Sequence, residues 1–189
     1  MQRRMCTVIV AFMHRLFVAI RPPPPILDLL VDTMDDGPTL RWVPEENLHL
    51  TLRFIGEVER PLAEDIAASL DKVKVPPFAL RLAGVGLFDR RSGGAVWAGV
   101  APRGPVKELA AKVERACQQA GLSPETRAFA PHVTIARYGR DSRLAAEQFT
   151  TREAGLQSAS FDVTRFTLFE SRLSRHGALY ERIADYALT

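Results

Sequence analysis

Two stretches of this chain carry the same pattern. His49-Leu50-Thr51-Leu52 and His132-Val133-Thr134-Ile135 both read His-apolar-Thr-apolar, and each reaches a glycine, Gly56 or Gly139, at the same distance further on. Side chains alternate faces along a β-strand, so His49 and Thr51 share one face while Leu50 and Leu52 point into a core. His132 and Thr134 stand in the same way against Val133 and Ile135. Imidazole titrates near neutrality, so one ring can take a proton while another gives one. Hydroxyls beside them can donate to charge building on a phosphate. Two such pairs facing each other supply an acid, a base and two donors. A lone histidine on a strand is more often structural. Here the chain has 4 histidines, and two of them fall in matching octapeptides. Packing alone does not account for such a repeat. His14 and His176 lie outside the motifs and are read as incidental, His176 as an exposed turn residue.

The elements that must position these pairs follow from periodicity and breakers. Leu16 to Ile20 reads as a buried strand, stopped by Pro22 to Pro25, and Ile26 to Met34 as a helix ended by Gly37-Pro38. After the short extended piece Arg41 to Val43, Pro44 to Asn47 turns the chain into the first motif strand, Leu48 to Ile55. Leu62, Ile66, Leu70 and Val73 predict an amphipathic helix over Pro61 to Val73. Phe78 to Phe88 and Ala95 to Ala101 form a hairpin around Asp89 to Gly94, whose Arg90 and Arg91 are read as a solvated tip. Val106 to Ala120 is a helix closed by Gly121, and Phe129-Ala130-Pro131 leads into the second motif strand. A modest helix, Leu144 to Phe149, precedes a closing hairpin of Phe161 to Ser171 and Ala178 to Tyr186. Two similar halves of mixed type, with strands joined by hairpins, favour antiparallel sheets and an α+β architecture.

Composition excludes some classes of protein. The 189 residues can bury a proper core, and 47% hydrophobic with 25% charged residues is ordinary for a globular chain. No apolar run is long enough for a transmembrane helix, so no membrane partner is expected. Cys6 and Cys117 cannot build a disulfide framework; Cys117 falls in register with Leu109, Val113 and Ala116 as a small buried hydrophobe, which fits a reducing, cytoplasmic setting. A net charge of +3 suits an anionic partner without identifying one. Met1 to Met13 is not followed by a small-residue cleavage site. Residues 1–12 are therefore expected to be an N-terminal extension, and 13–189 a single domain. No carboxylate cluster or His/Cys ligand set accompanies the motifs, so neither a metal nor another cofactor is expected.

Taken together, the paired motifs resemble those of the 2H phosphoesterase superfamily, and more narrowly the bacterial and archaeal RNA 2′,3′-cyclic phosphodiesterases, also called 2′-5′ RNA ligases. Arg15 to Ile20 followed by Pro22-Pro23, Trp42-Val43-Pro44 before Asn47-Leu48-His49, Val96 to Val100, Pro131 and Arg137 match as well. The likeness spans roughly residues 14–188. It implies a pseudo-symmetric bilobal fold, two antiparallel sheets lining a central cleft with helices outside. It also implies metal-independent hydrolysis of RNA 2′,3′-cyclic phosphate ends to 2′-phosphomonoesters by a monomer. By this resemblance His49 is the proton donor, His132 the proton acceptor, and Thr51, Thr134 and Arg137 bind phosphate. Spacing alone does not say which histidine does which job. Strand alternation points Arg137 away from Thr134, so its role requires a bend after Ile135. The first copy has Phe54 in the equivalent place. Ligation to a 2′-5′ linkage at the same site, or a non-catalytic RNA- or nucleotide-binding module, are the other readings; two titrating groups favour the enzyme.

Overall fold

The run Leu16-Phe17-Val18-Ala19-Ile20 is apolar on both faces and buried on both, as the C-terminal part of the strand β1 (Met13–Ile20). The computed structural model describes residues 13–34, 39–174 and 177–189; the expectations for residues 1–12 with Cys6, for Gly37-Pro38 and for His176 lie outside them. Pro24 and Pro25 open α1 (Pro24–Thr33), where a missing N–H costs nothing. A two-residue strand β2 (Arg41–Trp42) and a 3₁₀ turn over Glu45–Asn47 lead into β3 (Leu50–Glu59). Next come α2 (Arg60–Leu70), β4 (Phe78–Arg90), β5 (Gly93–Ala101) and α3 (Arg103–Gln119). The chain continues through β6 (His132–Gly139), a second 3₁₀ turn at Arg140–Ser142, and α4 (Arg143–Arg152). It closes with β7 (Phe161–Val163), β8 (Arg165–Ser174) and β9 (Gly177–Ala187).

Most element ends shift by a few residues from the sequence reading, and the β4–β5 strands run on to Arg90 and from Gly93 through the expected loop. Three further differences have a clear cause. The single strand expected over Phe161 to Ser171 is two, broken at Thr164. β7 pairs with β4, while β8 pairs with β1 and β9, so the chain changes lobe there. Apolar alternation encodes faces but not partners. Helix α3 starts ahead of Val106, because Gly104 and Pro105 fit its first turn, whose N–H groups have no intrahelical partner. Helix α2 stops at Leu70, and Val73 reaches the core from a turn, its N–H on the Leu70 carbonyl.

The strands line up in the order β7-β4-β5-β6-β3-β1-β8-β9, with β2 also on β6. The two expected antiparallel sheets are thus two four-stranded lobes, β6-β5-β4-β7 and β3-β1-β8-β9, joined where β3 meets β6 at one Cα pairing, Leu50 with Val133. All helices lie on one side. Ile26 and Leu30 of α1, Ile66 of α2, Leu109, Val113 and Cys117 of α3 and Phe149 of α4 share one core with Leu50, Leu52, Val133 and Ile135. Among the described residues the opposite side carries no helix, and there Phe17, Ala19 and Phe169 form a small separate cluster against Tyr180. Among the described residues no helix is long and apolar enough to cross a membrane.

Candidate active site

Leu50 and Val133, at the junction of the lobes, are both buried in the helix-side core. His49, Thr51, His132 and Thr134 therefore emerge on the helix-free face. Antiparallel continuation of the Leu50–Val133 register sets His49 toward Thr134 and Thr51 toward His132. The result is a four-cornered arrangement in which each imidazole neighbours the other motif's hydroxyl. Half-buried positions for all four fit a cleft floor.

Each ring is fixed in the same way. His49 Nδ1–H donates to the Asn47 carbonyl at 2.6 Å, and His132 Nδ1–H donates to the Ala130 carbonyl at 2.6 Å. A carbonyl can only accept, so Nδ1 carries the hydrogen and Nε2 is left for chemistry in both rings. Asn47 is itself held, its Nδ2 donating to the Ala178 carbonyl of β9 at 2.8 Å. Aromatic rings flank both histidines. Phe17 and Tyr180 lie 4.9 and 5.3 Å from the His49 ring, and Phe88 and Trp97 lie 4.7 and 6.4 Å from that of His132. The Trp97 indole lies flat because Gly86 beneath it lacks a Cβ, which would come within 2.3 Å of the ring. Sequence reading missed these brackets, since the rings come from four different strands.

Burial sets the protonation behaviour. Desolvation pulls His49 down to about 4, aided by the charges of His132, Arg21 and Arg137 and opposed by the Asn47 carbonyl. His132 is also lowered, again by burial first, with the Ala130 carbonyl opposing.

The bend required for Arg137 exists. On β5, Trp97 pairs with Thr134, Val96 with Ala136 and Ala95 with Arg137, so Ile135 is an extra residue on β6. Ile135 and Ala136 are both fully buried, and Arg137 returns to the face of Thr134. The first copy bulges at the same place: Ala19 pairs with Thr51, Val18 with Arg53 and Phe17 with Phe54, leaving Leu52 extra. Phe54 thus occupies the counterpart of Arg137, with the Arg15 guanidinium 5.4 Å above its ring. The bulge turns Arg53 to the helix side, where it meets Glu114 of α3 at 2.6 Å, Glu125 at 3.1 Å and the Ser123 carbonyl at 2.8 Å. Arg53 thereby pins the segment that leads to His132. Symmetry ends at the glycines, since Gly56 takes φ +87° in a bulge opposite Leu16 whereas Gly139 does not take a positive φ.

Other singled-out residues stand apart. His14 pairs with Glu170 at 2.8 Å, and Arg90 and Arg91 are exposed at the β4–β5 tip, beside a depression of about 570 Å³ shared with Arg140 and Arg143. Among the described residues no group of three or more His, Cys, Asp or Glu side chains is placed to hold a metal ion.

Two pseudo-symmetric antiparallel lobes with helices on one side and a cleft on the other have the architecture of the 2H phosphoesterases. The chain belongs to the 2′-5′ RNA ligase superfamily, whose family model matches residues 22–175. An RNA 2′,3′-cyclic phosphodiesterase of Aeropyrum pernix is 37% identical over 152 residues, covering 79% of this chain and 86% of the relative. One from Escherichia coli is 32% identical over 181 residues, covering 93% and 97%. The crystal structure of E. coli LigT complexed with 3′-AMP superposes with a TM-score of 0.76 at 28% identity, covering 94% of this chain and 99% of that one.

Proposed function

We propose that this protein hydrolyses the 2′,3′-cyclic phosphodiester at the end of an RNA or nucleotide to a 2′-phosphomonoester, with His49 and His132 as its acid–base pair and no metal. Its relatives bear the name of that activity. The observation that carries the reading is the matched pair of Nδ1–H bonds to Asn47 and Ala130, which leaves two Nε2 atoms, each beside a threonine, at the junction of the lobes.

In this mechanism the phosphate rests among Thr51, Thr134 and Arg137. His132 removes a proton from water as its oxygen forms a bond to phosphorus. The bond from phosphorus to the ribose 3′ oxygen breaks, and His49 protonates that oxygen. The threonine hydroxyls donate to the non-bridging oxygens as charge builds. Neutral and protonated rings then exchange their proton with solvent. The donor role of His49 comes from family resemblance, and the basicity of the free protein ranks the rings the other way, since His49 is pulled to about 4. A phosphodiester anion between the rings favours the protonated form of either, and the assignment rests on that anion restoring a proton to His49. A ribose 5′-hydroxyl in place of water, its oxygen bonding to phosphorus as the bond to the 3′ oxygen breaks, would give 2′-5′ ligation at the same atoms. Both motifs lie in one chain, so a monomer acting in the cytoplasm suffices, with residues 13–189 as the functional unit.

The test is incubation of the pure protein with nucleoside 2′,3′-cyclic phosphates in EDTA, with identification of the product. Nucleoside 2′-phosphate is expected. Binding without turnover would support the non-catalytic module instead, and activity restored only by a divalent ion would remove the metal-free mechanism.

A further inference from the structure

Arg137 has a second arginine beside it. Arg41 of β2 pairs directly with Arg137 of β6, and residues directly opposite in a ladder share a face. The row across the sheet runs Phe88, Ala95, Arg137, Arg41 on four successive strands. Phe88 packs edge-on against the His132 ring, so this row belongs to the imidazole face. The neighbouring row, Leu87, Val96, Ala136 and Trp42, packs into the helix-side core. Both arginines are exposed, and neither makes an ion pair with a described residue. Like charges directly opposite destabilise a strand pair, and an anion between them reverses the sign. Ala95, with only a methyl group, stands between Phe88 and Arg137 in this row.

Position says which anion. Two imidazoles and two hydroxyls already surround the reacting phosphate. Arg137 lies beyond Thr134 by about 7 Å along the strand, the bulge absorbing one residue, and Arg41 stands about 5 Å further to the side. That displacement is roughly one nucleotide. Building on the phosphodiesterase reading above, we infer that Arg41 binds the phosphodiester joining the cyclic-phosphate nucleotide to the rest of the RNA, so that the site is tuned to a polynucleotide end rather than to a mononucleotide. Arg137 stands between the two phosphates. Arg41 makes no covalent contribution; it is a specificity-determining residue.

The experiment compares kcat/KM for a dinucleotide ending in a 2′,3′-cyclic phosphate with that for the mononucleoside 2′,3′-cyclic phosphate, in wild type and in Arg41→Gln. Loss of one charge-assisted phosphate contact should lower the dinucleotide-to-mononucleotide ratio about tenfold, chiefly through KM. Arg41→Lys should recover part of it. The slope of log kcat/KM for the dinucleotide against log salt should become shallower by about 0.7, the value for one single-strand phosphate, a change that a merely structural role would not produce. An unchanged ratio, or both substrates impaired alike, overturns the inference while leaving the hydrolase intact. A wild-type protein that turns over neither substrate overturns the hydrolase and this inference with it.

Discussion

Thr134 and Arg137 share one face of β6 although they are three residues apart. The extra residue, Ile135, opposes nothing on β5 and restores the alternation after it. A guanidinium on the face of the Thr134 hydroxyl can bind the phosphate that this hydroxyl is proposed to stabilise. Arg137→Gln should therefore cost about 10- to 100-fold in kcat/KM for the cyclic phosphate, the usual worth of a charge-assisted hydrogen bond. Steady-state kinetics with an unchanged melting temperature checks it; a wild-type rate would assign Arg137 to the surface.

The hydroxyls are testable with shape held constant. Thr51→Val and Thr134→Val keep a β-branched side chain and remove one donor each. Each should lower kcat by roughly 10- to 1,000-fold, the upper figure being that of a full oxyanion-type donor. Wild-type kcat in both variants would mean that the threonines only pack.

Protonation gives a pH test whose sign is fixed. The folded protein holds His49 at about 4, below its ordinary 6.5, through burial. The unfolded chain thus binds the proton first. Stability attached to the neutral ring is present above pH 6.5 and is lost as pH falls from there toward 4, by up to about 3 kcal/mol. Melting temperature measured across that window should fall less in His49→Gln than in wild type; equal slopes would contradict the burial argument. His132 is lowered in the same direction. The bell of kcat/KM should accordingly centre on the acid side of 6.5, and that of kcat should move upward, because bound phosphate stabilises imidazolium.

Arg53 links the lobes through ion pairs rather than through the sheet. It is largely buried between Glu114 and Glu125, which are themselves only partly exposed. Arg53→Met would leave Glu114 without its arginine, leave Glu125 only its pair with Arg127, and release the segment before His132. A loss of about 1–3 kcal/mol in denaturant unfolding is expected, below the range for fully buried pairs. A larger KM should accompany it. Unchanged stability would show that solvent already screens the pairs.

The parts of this fold legible in sequence were those written in local periodicity. The histidine–threonine pairs, their buried aliphatic backs and the helices behind them follow from spacing alone, and Cys117 is buried as its register required. What escaped was non-local. The break at Thr164 depends on which lobe each strand joins, and the Arg53 network on residues far along the chain. Arg137 was named by resemblance, but strand alternation pointed it the wrong way, since one bulged residue inverts every face after it. The bulge does leave a trace, because Ile135 and Ala136 are consecutive apolar residues in an otherwise alternating strand.

Acid–base catalysis by the two imidazoles is tested most directly by kcat/KM toward a nucleoside 2′,3′-cyclic phosphate in EDTA for His49→Ala, His132→Ala and the double variant. Each single change should cost about 10²- to 10⁴-fold, the usual worth of a positioned acid or base. The double change should cost far less than the product of the two, because groups acting as one unit are not additive. A His49→Ala or His132→Ala protein that turns over the cyclic phosphate at the wild-type rate would contradict the two-histidine mechanism outright.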